Sequence, residues 1–216
     1  IVRGVPIEMS ADGNLEYVGG FFNLLNPYAL LGGVVTLTVF LTHGAIFLSL
    51  KTVGGIREQA RKFAIKIGLV AAVAAVSFLV WTNLMLPELN TTVLVLSTVV
   101  ALAWVAGLLA TLKVREGWAF IFSAVAIATF VADLFYALYP RVMPSSLGAQ
   151  FDLTITTASS TQYTLKLMTI VAVIMTPLVL IYQGWTYWVF RKRVGASQIL
   201  HPERGVLDTA THILHQ

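Results

Sequence analysis

Three titratable side chains lie inside long apolar stretches of this sequence: His43, Asp133 and, near the start of the last stretch, Lys166. If such stretches cross a membrane, a polar or ionisable group within them costs free energy, and residues of this kind commonly serve in proton relays. A carboxylate isolated there is expected to be protonated or paired. The three residues are therefore candidates for a proton path or for buried polar contacts.

For His43 the sequence leaves three interpretations open. The imidazole could donate a hydrogen bond to a carbonyl of a neighbouring helix, could belong to a proton path or contact a quinone, or could bind a metal. Gly44 and Ala45 beside it permit close approach of a second helix. At ~1.5 Å per residue, His43 lies ~24 Å along its helix from Pro27, so it is expected near the far end.

Asp133 and Lys166 are predicted at similar depths from one side of the membrane. Asp133 lies seven residues before Pro140, and Lys166 lies in the second turn of the last apolar stretch. A charge pair across the two helices would satisfy both groups, although Lys166 could equally extend its ammonium group to the interface. Asp133 could instead contribute to a proton path or contact a partner subunit.

Cysteine is absent from the 216 residues, which excludes iron–sulfur clusters, thiolate-bound haem, covalently attached c-type haem and disulfides. The other three histidines, His201, His212 and His215, follow the last apolar stretch, so a bis-histidine haem cannot form inside the membrane from this chain alone. His212 and His215 are three residues apart, but two histidines are a weak indication of a metal site. We predict no catalytic, cofactor-binding or metal-binding residue in the chain.

The composition indicates an integral membrane protein. Hydrophobic residues make up 57% of the chain, charged residues 11%, and the mean hydropathy is +0.82. The apolar runs are continuous, which favours helices over the alternating strands of a barrel. We predict five membrane-spanning helices, at about 27–50, 63–86, 92–112, 117–139 and 160–190.

The helix termini carry recognisable residues. Asn26 and Pro27 are typical of an N-cap followed by the first helical position. Ser159 and Gln162 have the spacing of a capping box at the start of the last span, and Pro177 is a candidate kink. Aromatic residues between Tyr182 and Phe190 resemble an interfacial belt, or alternatively the wall of a groove for a lipid or quinone tail.

The cations predict the orientation. Eleven of the fourteen Lys and Arg residues fall in the loops after spans one and three or after span five, and cytoplasmic loops are enriched in these residues. We therefore expect an extracytoplasmic segment 1–25, a transmembrane domain 26–193 and a cytoplasmic tail 194–216, with the 140–164 connection outside. The positive net charge needs no nucleic-acid partner. Because the sequence starts with Ile1 and its N-terminus is predicted outside, we expect an even number of spans upstream.

Several segments resemble subunit II of the cytochrome bd-type quinol oxidases. Near the first span they are Asn26–Gly32, His43–Ala45 and Lys51-Thr52. Towards the end of the chain they are Tyr139–Arg141, Ala158–Ser160, Thr164-Leu165, Pro177 and Tyr182–Arg191. The resemblance extends from about residue 19 to residue 193.

This resemblance implies a subunit of a terminal oxidase of the bacterial cytoplasmic membrane that takes electrons from quinol and reduces dioxygen to water. Haems b and d would belong to the larger subunit I, with which this chain and small accessory subunits would assemble. Subunit II would support assembly, gas or proton access and, in some members, quinone binding. The five spans match the second four-helix bundle and peripheral helix of the family, so its first four helices are expected to be missing here.

Two other classes fit the same spans. Half of a secondary transporter would show buried charge, but its helices should be broken near a midplane site, and Pro177 is the single such break in the sequence. A membrane scaffold subunit would need no redox chemistry. Haem absorbance and quinol-dependent oxygen uptake of the intact complex would separate both from an oxidase subunit.

Overall fold

The computed structural model of the chain describes residues 2–13, 15–86 and 90–192. The predicted tail, with His201, His212 and His215, lies outside these residues. Five helices are long and apolar enough to cross a membrane, so the chain is a multi-pass membrane protein. They are α1 (Pro27–Lys51), α2 (Gly55–Met85), α3 (Thr91–Leu112), α4 (Glu116–Leu138) and α5 (Gln162–Val189).

The predicted spans are confirmed, and their ends differ where polar residues extend or cap a helix. The N-cap at Asn26 forms as expected, because its side chain accepts a hydrogen bond from the Ala29 amide. Helix α2 starts eight residues before the predicted boundary, because helical structure continues through charged turns that precede its apolar run. The N-cap of α5 is Thr161 and not Ser159, since Thr161 Oγ1 accepts from the Thr164 amide.

Helices α1 to α4 form a four-helix bundle in which small residues allow close packing. Helix α1 packs against α2 and α4, and α3 packs against α2 and α4. Ala64, Ala71, Ala119 and Ala126 are at most 1% exposed, which is typical of interfaces between membrane helices. Gly68 brings α2 close enough to α3 for Trp104 Nε1 to donate to its carbonyl at 3.1 Å.

Helix α5 lies outside the bundle. None of its residues is buried, and it runs as one helix through Pro177. Two contacts at its C-terminal end join it to α1: the rings of Phe47 and Tyr187 meet edge to face at 6.4 Å, and Lys51 Nζ donates to the Phe190 carbonyl at 2.9 Å. The predicted bundle with one peripheral helix is therefore confirmed.

Short strands, which the sequence did not predict, join the segments at one end of the bundle. Strands β1 (Ile7–Met9) and β2 (Leu15–Tyr17) form one antiparallel hairpin, and β3 (Arg141–Met143) pairs with β4 (Leu153–Thr154). The two hairpins are bonded to each other, because the Val5 amide donates to Pro144 O at 3.0 Å and Ser145 Oγ to Ile7 O at 2.7 Å. The N-terminal segment and the α4–α5 connection thus lie on one side; that this side is extracytoplasmic stays a prediction.

Candidate functional site

Asp133 is held inside the bundle by polar residues of two other helices. Its carboxyl group is on α4, and Oδ2 accepts a hydrogen bond from Ser97 Oγ of α3 at 2.8 Å. Ser97 Oγ in turn accepts from Asn83 Nδ2 of α2 at 3.2 Å. Asp133 is 1% exposed. We call these three residues, Asn83, Ser97 and Asp133, the polar node; it ties three helices together.

Two oxygen atoms of the polar node have no hydrogen-bond partner among the described residues. They are Asn83 Oδ1 and Asp133 Oδ1, and both are fully enclosed. A buried polar atom without a partner carries a desolvation cost, and each such atom in a native protein calls for an explanation. The chemistry of the node therefore depends on what supplies a hydrogen to these atoms.

A second buried hydrogen bond joins α1 to α2 at the residue before Asn83. The hydroxyl groups of Tyr28 and Thr82 are 2.8 Å apart, and Thr82 precedes Asn83 in α2. The Tyr28 ring stacks on Phe78 with centroids 4.7 Å apart. The sequence analysis did not identify Asn83, Ser97 or the Tyr28–Thr82 pair. All four are polar residues within apolar spans, and their predicted depth in the membrane is similar to that of Asp133, so this similarity could have indicated them.

His43 contacts a hydroxyl group of a neighbouring helix and not a carbonyl. Its Nδ1 lies 2.8 Å from Ser123 Oγ of α4, and its ring stacks on Phe120 at 4.6 Å. Ser123 Oγ also donates to the Phe120 carbonyl at 3.0 Å. A serine hydroxyl has a single hydrogen, so both contacts of Ser123 are satisfied together when Ser123 donates to Phe120 O and His43 donates from Nδ1. In a neutral ring this leaves Nε2 as an acceptor.

Lys166 lies on the exposed surface of α5, and the structure does not bring it to Asp133. The carboxyl group of Asp133 faces Ser97 inside the bundle, whereas α5 contributes no buried residue. Among the residues the structure describes, no ion pair joins the two side chains. The expected charge pair is therefore absent, because α5 stands apart from the bundle at this end.

An ion pair with a buried carboxylate lies at the opposite end of the bundle. Arg57 of α2 donates from Nε and Nη2 to Glu116 Oε1 of α4, at 2.8 and 2.7 Å. The Glu116 side chain is 4% exposed and that of Arg57 is 32% exposed. Glu116 is also the first residue of α4, where a negative charge interacts favourably with the helix dipole. The sequence analysis did not predict this pair.

An apolar cavity of about 60 Å³ lies between α2, α3 and α4. Its wall consists of apolar side chains alone, among them Ala75, Trp104, Ala126 and Phe130. Val76 and Val105 also line it, and each is 50% exposed, so part of the cavity wall belongs to the outer surface of α2 and α3. Cavities of this kind stay dry and accept small apolar molecules. We refer to it as the apolar cavity.

The described residues do not assemble a metal site. Within 2–13, 15–86 and 90–192, no three His, Cys, Asp or Glu side chains lie close enough together to hold a metal ion. Asp133 and His43 are instead each hydrogen-bonded to a serine of a neighbouring helix, Ser97 and Ser123 respectively.

Residues 1–190 match the family described as cytochrome bd terminal oxidase subunit II. The chain is 35% identical over 202 residues to cytochrome bd ubiquinol oxidase subunit 2 of Bacillus subtilis, covering 92% of this chain and 58% of the relative. It is 32% identical over 232 residues to cytochrome bd-I ubiquinol oxidase subunit 2 of Escherichia coli K12, covering 92% and 61% respectively. A probable cytochrome oxidase subunit 2 of Haemophilus influenzae is also 32% identical, with the same coverage.

The chain thus spans about three-fifths of the length of these relatives. The family match covers every helix of the bundle and α5. The chain therefore belongs to the cytochrome bd terminal oxidase subunit II family.

Proposed function

We propose that the chain is a haem-free subunit of a respiratory terminal oxidase in the bacterial cytoplasmic membrane. The complex would oxidise quinol and reduce dioxygen to water, with haems b and d bound by a partner subunit I. The observation that carries the proposal is the family match over residues 1–190. Catalytic residues are expected mainly in the partner subunit, and the role of this chain would be to support its assembly.

The exposed helix surfaces support an assembly role. Apolar side chains point outward from the bundle, including Leu84 at 78% and Leu102 at 65% exposed. Helix α5 presents its whole length, and such surfaces can pack against subunit I, small accessory subunits or lipid. Lipid alone would also satisfy these faces, and purification of the intact complex distinguishes a protein partner from lipid.

Purification of the intact complex tests the proposal. A tag on this chain should recover a complex with b- and d-type haem absorbance and quinol-dependent oxygen uptake. Recovery of a complex that has no haem and transports a solute would support half of a secondary transporter instead. A haem-free complex without transport would support a scaffold.

The apolar cavity supports a second role for this subunit, in gas access. Dioxygen is small and apolar, it concentrates in lipid, and the apolar cavity has a purely apolar wall that includes half-exposed residues of α2 and α3. Replacing Ala75 by Leu would fill part of the cavity. We expect the KM for dioxygen to rise severalfold with kcat unchanged, measured by oxygen uptake. The control is Val73→Leu on the same helix, where the side chain is 71% exposed; an equal effect of both variants would contradict the role.

Proton access is a further proposal, for which His43 and Asp133 are the candidates. Each lies within the bundle and each is hydrogen-bonded to a serine of a neighbouring helix. Lys166 is a weaker candidate, because it lies on the exposed surface of α5. A proton role predicts that His43→Gln slows turnover while haem content stays constant; loss of haem together with activity would indicate a contribution to assembly instead.

A further inference from the structure

We propose that the polar node is a proton-binding site, in which Asp133 carries a proton on Oδ1 and this proton supplies the hydrogen-bond donor that the node lacks. The ligand is the proton itself. The site would hold it whether or not the chain works within an oxidase.

The hydrogens of the neutral partners are all in use. Ser97 has one hydroxyl hydrogen, and it goes to Asp133 Oδ2 at 2.8 Å. Asn83 has two amide hydrogens; its Nδ2 donates to Leu79 O at 2.9 Å and to Ser97 Oγ at 3.2 Å. The bond to Leu79 O fixes the orientation of the amide, since an oxygen in that position would face another acceptor.

Two acceptor atoms of the node, Asn83 Oδ1 and Asp133 Oδ1, have no partner among the described residues. The node has no unused hydrogen to donate to them. An ionised Asp133 leaves both unsatisfied, and it also leaves a charge inside the membrane. One proton on Oδ1 removes the charge and turns that unpaired acceptor into a donor. The added hydrogen thus supplies the kind of group that the node lacks.

The charges around Asp133 do not favour the ionised form. Helix α3 has no charged residue, and the single Lys or Arg of α1 is Lys51. In α2 the Lys or Arg residue nearest to Asn83 is Lys66. At ~1.5 Å per residue, Lys66 is ~25 Å along α2 from Asn83. Tyr28, the other titratable group near the node, is bonded to Thr82.

Cations at the hairpin end of the bundle are also directed elsewhere. Arg141 pairs with Asp152 at 3.7 Å, Arg3 lies among residues of the N-terminal segment, and Lys166 is on exposed α5. Among the described residues, then, no cation is positioned to compensate a carboxylate at Asp133.

Infrared spectroscopy of the intact complex, with aspartate labelled by ¹³C at the side-chain carboxyl, tests the site. At neutral pH we expect a label-sensitive carboxylic-acid C=O band that is present in the unmutated complex and disappears in Asp133→Asn. The control is Asp152→Asn, whose carboxylate is paired with Arg141 outside the helices, and which should leave that band unchanged. If Asp133→Asn instead lowers the carboxylate absorption and removes no acid band, the proposal is overturned.

A second variant covers the case in which Asp133→Asn fails to assemble. Ser97→Ala removes the hydrogen bond to Oδ2, so the acid band should shift to higher frequency and keep its intensity. A band at an unchanged position would overturn the proposal, as would its replacement by a carboxylate band. These spectra do not depend on turnover, so an inactive complex with the acid band would contradict the oxidase role and not the proton site.

Discussion

At the scale of single residues, each serine of the bundle has one hydroxyl hydrogen, and the acceptor of that hydrogen decides the direction of its other hydrogen bonds. In the arrangement that satisfies both contacts of Ser123, its hydroxyl hydrogen goes to Phe120 O of its own helix, and His43 donates to Ser123. The hydroxyl hydrogen of Ser97 goes across to Asp133. Two serines therefore play opposite parts: Ser123 accepts from an imidazole, while Ser97 donates to a carboxyl group.

We expect Ser123→Ala to destabilise the bundle by about 1 kcal/mol, because it removes the acceptor of the His43 N–H inside the membrane. The measurement is thermal or denaturant unfolding of the purified complex. Ser77→Ala is the matched control, since Ser77 Oγ bonds its own helix at Val73 O on an exposed face. Equal stability of the two variants would show that the His43–Ser123 bond contributes nothing.

At the scale of helices, α2 is the element that connects the bundle. It contacts α4 through Arg57 at one end, approaches α3 at Gly68 in the middle, and joins the polar node through Asn83 at the other end. A Cβ on Gly68 would lie 2.5 Å from Leu108 Cδ2 and 3.1 Å from Thr42 Cγ2. The spacing of α1, α2 and α3 therefore depends on the missing side chain.

We predict that Gly68→Val destabilises the bundle by about 1–3 kcal/mol, because the larger side chain overpacks this contact. It should also disturb the bond from Trp104 to the Gly68 carbonyl, and so change tryptophan fluorescence. Unfolding of the purified complex measures the first effect. Gly44→Val is the control, because among the described residues no atom of another helix lies within 4 Å of the position that a Cβ would take there; a similar loss at both sites would contradict the packing argument.

The Arg57–Glu116 pair gives a second prediction for the helices. Glu116→Gln should lower stability by about 1.5–3 kcal/mol, the range for hydrogen bonds to charged groups, because it weakens a nearly buried interaction between α2 and α4. Denaturant unfolding measures the change. Glu58→Gln breaks the exposed pair with Lys62 on one helix and should have no measurable effect. If both variants lose equal stability, the burial of Glu116 is not the cause.

At the scale of the whole molecule, different contacts hold together the segments at each of the two ends of the bundle. The hairpins connect the N-terminal segment to the α4–α5 connection. At the other end, Arg57 contacts Glu116 and Lys51 contacts Phe190. Most cations lie at this second end, and the bias of Lys and Arg towards cytoplasmic loops predicts that it faces the cytoplasm.

Single-cysteine labelling tests this orientation, and the absence of natural cysteines makes it free of background within the chain. In intact cells, Asp12→Cys should react with a membrane-impermeant maleimide, whereas Lys113→Cys should react after the cells are opened. Both native side chains are exposed, so the comparison reports on sidedness. If Lys113→Cys reacts in intact cells and Asp12→Cys does not, the predicted orientation is wrong.

The sequence by itself determined that the protein lies in a membrane, that it has five spans, and that these spans contain few reactive side chains. Hydropathy, helix length and residue type are local properties of the chain, so no tertiary structure is needed to read them. The sequence also singled out His43 and Asp133, since ionisable residues are conspicuous in apolar runs. Its resemblance to the oxidase family agreed with the later match over residues 1–190.

Only the tertiary structure decided which polar groups meet. Asp133 pairs with Ser97 and not with Lys166, because α5 stands away from the bundle and contributes no buried side chain. Arg57 reaches Glu116 across 59 positions of sequence, which no local pattern reveals. Hydrogen bonds between helices depend on the rotation and packing of the helices. Close contacts elsewhere, such as that of Trp104 with Gly68, fix this packing, so the two bonded residues alone do not reveal the bond.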